Sequence, residues 1–193
     1  MQDKIKSIIQ ASVAVKNNIL SDNQLLSQIE SSAHEIIEAF KRGNRVYFCG
    51  NGGSAADAQH LAAEFSGRFY YDRPPLDAEA LHVNTSYLTA VGNDYSFDEI
   101  YARLVKGKGL KGDVLVALST SGNSPNIIRA IEEARRLDMM VIGLTGKTGG
   151  KMNEICNFII KVPSTDTPRI QESHITIGHI ICEIVESSIF PVS

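Results

Sequence analysis

The stretch Cys49–Phe65, with the sequence CGNGGSAADAQHLAAEF, decides the fold of this chain. The apolar run Arg45–Cys49 predicts a short buried strand, and three glycines with one asparagine then break it. An alanine-rich helix is predicted to begin near Ser54. A strand, a glycine turn and a helix start bring backbone N–H groups and the positive end of a helix dipole to one point. The stretch therefore predicts a binding loop for an anionic or polyhydroxylated ligand.

Two polar residues on the predicted helix add chemistry to this loop. His60 and Glu64 are four residues apart, so both side chains project from one face of the helix, one turn below the loop. Such a pair is a metal-binding pair, an acid–base pair or a solvated contact, and spacing alone leaves these alternatives open. The small apolar helix around it and the neighbouring ligand loop favour a functional role.

The composition excludes several classes of function. The chain has 193 residues, 43% of them hydrophobic, which predicts one soluble globular domain over 1–193. A net charge of −3 argues against binding to nucleic acid, and no apolar run approaches the ~20 residues that span a membrane. Cys49, Cys156 and Cys182 each lie in an apolar run and are expected as free thiols. With no signal peptide visible, we expect a cytoplasmic protein without membrane or nucleic-acid partners.

Short apolar runs alternate with amphipathic helices from Arg45 onward. Strands are predicted at 45–49, 78–83, 113–119, 139–145 and 157–162, and helices at 54–68, 85–91, 97–105, 125–137, 151–156 and 168–189. This alternation predicts an α/β fold, with a five-stranded parallel sheet between two helical layers. Two further helices are predicted within 1–40, interrupted near Ser21–Asn23. They either only cover one face of the sheet or also pack against partner chains.

Three distinctive loops follow predicted strands, namely Gly50–Ser54, Ser119–Pro125 and Pro163–Thr167. Ligands bind beyond the carboxyl ends of the strands in parallel sheets, so the three loops predict one pocket. The second loop carries four hydroxyls before a helix and is suited to phosphate without a lysine. The alternative is that the serines and the threonine only cap that helix and close the turn, with Ser124 as the N-cap and Pro125 at the first helical position. The segment 71–76 is predicted as a loop near the surface.

The run Gly146-Lys147-Thr148 resembles the end of a nucleotide-binding P-loop. That motif requires a glycine five residues before Gly146, where this chain has Val141. The glycine loop at 50–54 also lacks the spacing of a dinucleotide-binding fold. Nucleotide binding is therefore disfavoured.

The C-terminal helix is predicted to carry Gln171 and His179, which are eight residues apart. On a straight helix this spacing separates them by ~12 Å along the axis. Both residues of one chain are thus too far apart to bind one metal without a bend. Either only one of them reaches the pocket, or the site is shared between subunits.

Other polar residues have an ordinary structural alternative. His174 is predicted to be a packing or surface histidine. Arg68, Asp166 and Arg169 are candidates for substrate contacts, with solvated salt bridges as the simpler expectation. Asn93 and Asp94 make a turn or hold the hydroxyls of a sugar.

Three motifs together resemble the sugar isomerase (SIS) domain family. They are Asn51-Gly52-Gly53-Ser54, Ser119-Thr120-Ser121-Gly122-Asn123-Ser124 and Thr167-Pro168-Arg169-Ile170-Gln171-Glu172. The resemblance covers nearly the whole chain and is closest to the members that isomerise phosphorylated seven-carbon sugars. It implies a three-layer αβα sandwich of flavodoxin-like type, with residues 1–40 used in oligomer packing and 41–193 as the α/β core.

The resemblance also implies roles for individual residues. The substrate-binding positions are Asn51, Gly52, Gly53, Ser54, Glu64, Asn93, Asp94, Ser119, Thr120, Ser121, Ser124 and Gln171. His60, Glu64, Gln171 and His179 are the ligand positions in members that bind zinc, one ion per subunit. Glu64 and His179 are the implied catalytic pair. The family is tetrameric with active sites at subunit interfaces, so His179 is expected to reach Glu64 from another subunit.

The implied reaction is an aldose–ketose isomerisation of sedoheptulose 7-phosphate to D-glycero-D-manno-heptose 7-phosphate through an enediol. It would be the first step towards a heptose precursor for lipopolysaccharide or capsule. The main alternative is a non-enzymatic SIS tetramer that binds the replication initiator DnaA and lacks the catalytic residues. Retention of both Glu64 and His179 favours the enzyme. A sugar phosphate-binding regulator is disfavoured because no DNA-binding segment is present.

Overall fold

A computed structural model describes residues 1–191 of the chain. Its elements are α1 (Gln2–Leu20), α2 (Asn23–Lys41), β1 (Val46–Cys49), α3 (Gly53–Ser66), β2 (Ala78–Ala80), α4 (Thr85–Asp94), a 3-10 turn (Phe97–Glu99), α5 (Ile100–Lys108), β3 (Val114–Leu118), α6 (Pro125–Arg136), β4 (Met140–Thr145), α7 (Met152–Ile155), β5 (Phe158–Lys161) and α8 (Thr167–Ile189). Every predicted strand and helix is present. Residues 192 and 193 of the predicted domain lie outside the described residues.

The five strands form one parallel sheet in the order β2-β1-β3-β4-β5. This is the flavodoxin-like strand order, with its topological switch point between β1 and β3. The predicted fold class is therefore confirmed. Strand β2 is shorter than predicted because the chain turns after Ala80, and Asn84 then caps α4 by accepting from the Tyr87 amide at 3.0 Å.

Alternate residues of the strands feed two separate hydrophobic cores. In β1, Val46 and Phe48 face a core made with α2, α3 and α8. Tyr47 and Cys49 face the opposite core, made with α4, α5, α6 and α7. Because successive strand residues point to opposite faces, four consecutive buried residues require a helical layer on each side. The three predicted layers are thus observed.

The two N-terminal helices differ in their packing. Asp22 caps α2 by accepting from the Leu25 amide at 3.0 Å, and α2 buries Ile29 and Ile36 against the sheet. In α1, only Val15 and Ile19 are buried. Helix α2 therefore covers one face of the sheet, whereas most of α1 is exposed.

Two further expectations are settled by the packing. All three cysteines are free, as predicted, although Cys156 is only partly buried. Segment 71–76 is a loop near the surface, as predicted, with Asp72, Pro74 and Pro75 exposed, although the side chain of Arg73 is only 2% exposed. Within residues 1–191, no helix is long and apolar enough to cross a membrane.

Candidate functional site

The glycine loop and the serine loop meet above the switch point of the sheet. Strands β1 and β3 are parallel neighbours, so the loops that follow them emerge side by side. The side-chain nitrogen Nδ2 of Asn51 donates to Asn126 Oδ1 at 2.9 Å, and Nδ2 of Asn126 donates back to Asn51 Oδ1 at 2.8 Å. Asn126, which is buried at the start of α6, was not singled out from the sequence because its role is to hold one loop against the other.

Steric constraints explain why glycine occupies each of three positions in the first loop. A Cβ at Gly50 would lie 2.4 Å from the backbone oxygen of Ser54, which closes the turn into α3. Gly52 has a φ of 55°, in the left-handed region that favours glycine. A Cβ at Gly53 would lie 2.8 Å from the amide of Gln171 on α8. The loop is therefore tight, and the Gln171 side chain lies directly on it.

Helices α3 and α8 run side by side in the same direction. Gly53 lies against Gln171, and Leu61 lies against Gly178, where a Cβ would approach the leucine methyl groups to 2.5 Å. The absence of a side chain at Gly178 allows this close approach. The approach places His179 next to the polar pair on α3.

His60, Glu64 and His179 form one cluster. His60 Nε2 lies 3.0 Å from Glu64 Oε1, and His179 Nε2 lies 3.1 Å from His60 Nε2. The three potential ligand atoms all lie within 4.8 Å of one another. The ring of Phe69 covers one side, with its centroid 5.7 Å from that of His179.

The expectation that His179 reaches the cluster from another subunit is wrong, since the same chain brings it to His60. Gln171 lies two turns earlier on α8 and contacts Gly53 instead of the cluster. The spacing left open whether only one of the two α8 residues reaches the pocket or subunits share the site. In the structure one of them, His179, lies at His60. The other lies at the glycine loop.

The cluster fits a metal ion. Two imidazole nitrogens and one carboxylate oxygen are a common ligand set of catalytic zinc sites, which keep a fourth position open. Ligand atoms of a tetrahedral zinc site with bonds of about 2.0–2.1 Å lie roughly 3.3 Å apart. The two closest separations in the cluster, 3.0 and 3.1 Å, are near that value.

An acidic side chain adjoins the cluster on α3. Asp57 lies one turn before His60, and its Oδ2 atom is buried without a hydrogen-bond partner among the described residues. Burial raises the pKa of the Asp57 carboxyl, and the nearby His60 acts in the opposite direction. Asp57 carries no distinguishing signal in the sequence, because an aspartate inside an alanine-rich helix resembles any exposed polar position.

The serine loop uses its hydroxyls within the loop itself. Ser124 is the N-cap of α6, but its side chain accepts no hydrogen bond from the helix. Its hydroxyl instead lies 3.0 Å from that of Ser119, and Ser121 lies 3.5 Å from Ser119 on the other side. Ser124 is therefore the N-cap by position but not by a side-chain hydrogen bond, and the Ser121 hydroxyl closes the turn by accepting from the backbone amide of Asn123 at 3.2 Å. The hydroxyls converge, as a phosphate site requires.

Other predicted residues lie apart from these loops. Asn93 and Asp94 end α4 in exposed positions, and Asn93 Nδ2 donates to Asp94 Oδ1 at 3.0 Å. The structure does not join them to the glycine or serine loop. Arg169 donates to the Ile8 carbonyl at 3.0 Å and pairs with Glu172, so it ties α1 to α8. Arg68 and Asp166 are exposed.

His174 is a packing residue, as predicted, since it is fully buried. Its Nε2 lies 3.1 Å from the Thr145 carbonyl. Burial lowers the pKa of His174 to about 4, with the Thr145 contact opposing the shift. The ring is therefore neutral at physiological pH.

A buried ion pair below the cluster was missed by the sequence analysis. Arg73 Nε donates to Glu186 Oε1 at 2.9 Å, and both side chains are almost fully buried. Arg73 also donates to the carbonyls of Glu64 at 2.8 Å and Phe65 at 2.7 Å. This arginine therefore fixes the C-terminal turn of α3, which carries Glu64, to α8. Only the separation of 113 residues between the partners hides the pair in the sequence.

The comparisons with known proteins agree with this geometry. The family model of the SIS domain matches residues 10–146. The phosphoheptose isomerase of Aneurinibacillus thermoaerophilus is 54% identical over 190 residues, which cover 98% of this chain and 96% of that protein. The solved phosphoheptose isomerase from Neisseria gonorrhoeae has a TM-score of 0.90 and 40% identity, covering 96% of this chain and 98% of that one. The structure from Francisella tularensis has a TM-score of 0.92, with 38% identity and the same coverage.

Proposed function

The chain belongs to the SIS domain family and, within it, to the phosphoheptose isomerases, and we propose that it interconverts sedoheptulose 7-phosphate and D-glycero-D-manno-heptose 7-phosphate. It is therefore a sugar phosphate isomerase. The observation that carries the specific reaction is the convergence of His60, Glu64 and His179 next to the glycine loop. No comparison favours the alternative of a DnaA-binding tetramer.

The reaction needs a base at carbon and a proton carrier at oxygen. Isomerisation moves a proton between C1 and C2 through an enediol, while O1 and O2 exchange a second proton. We assign the transfer between carbons to the Glu64 carboxylate and the transfer between oxygens to His179. The fixed backbone of Glu64, held by Arg73, keeps the carboxylate in place.

The remaining side chains bind and orient the sugar phosphate. The converging hydroxyls of Ser119 and Ser124 hold the phosphate end, together with the start of α6. The Gln171 amide, which lies on Gly53, holds a sugar hydroxyl at the other loop. Asn93 and Asp94 are proposed to contact further hydroxyls.

We propose that His60, Glu64 and His179 hold a zinc ion; Gln171, the fourth ligand position that the family resemblance implies, lies at the glycine loop of this chain. Bound there, zinc would supply positive charge that stabilises an enediolate. A tightly coordinated Glu64 is not a free base, so the zinc is either structural or exchangeable during turnover. Zinc content and turnover must therefore be measured separately, because a bound zinc ion does not by itself show an active enzyme.

The exposed apolar face of α1 supports the proposed homotetramer. Ile5, Ile8, Ile9 and Val13 are each about half exposed and follow helical spacing along α1. Such a stripe is typical of a helix that packs against another copy of the chain. We place the enzyme in the cytoplasm, at the first step of heptose precursor synthesis for lipopolysaccharide or capsule.

An isomerase assay on sedoheptulose 7-phosphate, with and without a chelator, tests the proposal. We expect product from the wild-type chain. Glu64→Gln is expected to lose most turnover, while inorganic phosphate still binds. Glu154→Gln, which changes an exposed carboxylate on α7, is the matched control and is expected to keep full turnover. A folded wild-type protein that forms no product under either condition would favour the binding-protein alternative. Normal turnover in Glu64→Gln would exclude Glu64 as the base.

A further inference from the structure

The loops that follow β3, β4 and β5 line an open surface cavity of about 330 Å³ beside the serine loop. Most of its lining residues carry a hydroxyl group, one is a lysine, and none is acidic. Thr120 and Ser121 of the serine loop form one wall. The cavity therefore adjoins the serine loop, although Ser119 and Ser124 do not line it.

The walls of the cavity are fixed to one another by backbone hydrogen bonds. The Gly146 amide donates to the Thr120 carbonyl at 3.0 Å, and the Lys147 amide donates to the Ser164 carbonyl at 3.0 Å. A Cβ at Gly146 would lie 2.8 Å from the Thr120 oxygen and 2.6 Å from the side chain of Ile170. The three loops and the first turn of α8 thus meet at Gly146, and the cavity is a defined feature of the fold.

The electrostatics of the cavity favour an anion. Lys147 lies on its lining, and its ammonium group makes no ion pair within residues 1–191. Thr165 adds a hydroxyl from the loop before α8, and Thr167 adds one from the first residue of α8, whose N-terminus is not capped by the Asp166 side chain. Asp166 is the acidic residue of that loop, and it does not line the cavity. Lys147 is exposed, and a lysine without an ion pair beside several hydroxyl donors is suited to binding a phosphate group.

We propose that Lys147 is the cationic group that binds the phosphate of the sugar phosphate, opposite the hydroxyls of the serine loop. The inference rests on the proposed function, because it assigns the substrate of that site to this cavity. It also reverses the expectation that the loop binds phosphate without a lysine. The Gly146-Lys147-Thr148 run is not a P-loop. Its lysine is nevertheless assigned the task of a P-loop lysine, which is to bind a phosphate group, and it does so after β4.

Substitution of Lys147 tests the proposal in the full-length protein. Lys147→Gln removes the charge, Lys147→Arg keeps it, and Lys151→Gln is the control because Lys151 is an exposed lysine that does not line the cavity. The measurements are KM and kcat for sedoheptulose 7-phosphate and the Kd of inorganic phosphate by titration calorimetry. For Lys147→Gln we expect KM and Kd to rise roughly 10- to 100-fold, as for the loss of one hydrogen bond to a charged group. We expect kcat to change less than about twofold, and the other two variants to stay close to the wild type.

The two readouts separate this inference from the proposed function. Weaker phosphate binding in Lys147→Gln alone, in a protein that does not isomerise the sugar, would support the anion site and refute the isomerase. Unchanged KM and Kd in Lys147→Gln would overturn the inference while leaving the isomerase intact. A raised Kd for phosphate with an unchanged KM would also overturn it, because the cavity would then bind an anion other than the substrate.

Discussion

Replacement of Glu186 by glutamine is expected to be strongly destabilising. The Glu186 side chain is 1% exposed and accepts from the amides of Phe69 at 2.9 Å and Tyr70 at 2.7 Å, besides pairing with Arg73. Glu186→Gln leaves the buried guanidinium without a counter-charge and turns an amide N–H₂ group towards backbone donors. Loss of one partner of a buried pair costs about 3–5 kcal/mol of unfolding free energy. For a chain of this size that corresponds to a fall in Tm of roughly 6–20 °C.

The pH dependence of stability gives a second measurement on the same variant. Burial by itself would raise the pKa of Glu186, but the Tyr70 and Phe69 amides and Arg73 together lower it. A carboxyl whose pKa is lower in the folded state adds stability above its unfolded pKa, near 4.3, and loses it as the pH falls through the folded value. The difference in unfolding free energy between the wild type and Glu186→Gln is therefore expected to become smaller below about pH 4.

The assay is urea unfolding at a fixed protomer concentration, since association alters apparent stability. Lys111→Met is the control, because it breaks an exposed pair with Asp138 at 3.3 Å and is expected to cost at most about 1 kcal/mol. The double variant Arg73→Met/Glu186→Leu removes both charges but leaves the Phe69 and Tyr70 amides without their acceptor, so it is expected to recover only part of the lost stability. A loss below about 1 kcal/mol for Glu186→Gln would refute the argument that this pair anchors α3 to α8.

Four other substitutions test the packing around the site. Gly178→Ala is expected to push α8 away from Leu61, lowering metal affinity more than phosphate affinity when both are measured by calorimetry. Gly50→Ala places a Cβ against helix backbone, so we expect poor folding by circular dichroism, whereas an alanine at Gly92, which has open space, is expected to be tolerated. Because burial lowers the pKa of His174 to about 4, the unfolded chain binds more protons between about pH 6.5 and 4. Wild-type stability is expected to fall as the pH drops through that window, and His174→Gln is expected to flatten the curve; identical curves would contradict the neutral buried ring.

Much of the fold was predictable because its signals are local. Consecutive apolar residues mark the strand Val46–Cys49 in the sequence. The turn that follows is marked by Gly50, at a position where only glycine fits. The serine loop and Pro125 likewise mark the start of α6. Strands that alternate with helices leave few arrangements other than a parallel sheet, so the edge that carries the site was also predictable.

The assembly of the site was not predictable in the same way. His60 and His179 are separated by 119 residues, and their contact depends on how closely α3 and α8 approach at Gly178. The spacing on a straight helix correctly separated Gln171 from His179, which contact different parts of α3. It did not show which of the two residues meets the histidine on α3, and the inferred contribution from another subunit was wrong for this reason.

The sequence by itself determined the alternation of strands and helices, the glycine and serine loops and the i, i+4 spacing of His60 and Glu64. These features depend on neighbours within a few residues, where backbone geometry and side-chain periodicity act directly. Only the tertiary structure decided that His179 joins them, that Arg73 is buried against Glu186 and that Lys147 lines a cavity with the serine loop. Those contacts depend on which helix faces and strand-end loops come together when the chain packs, and that packing is set by the whole core.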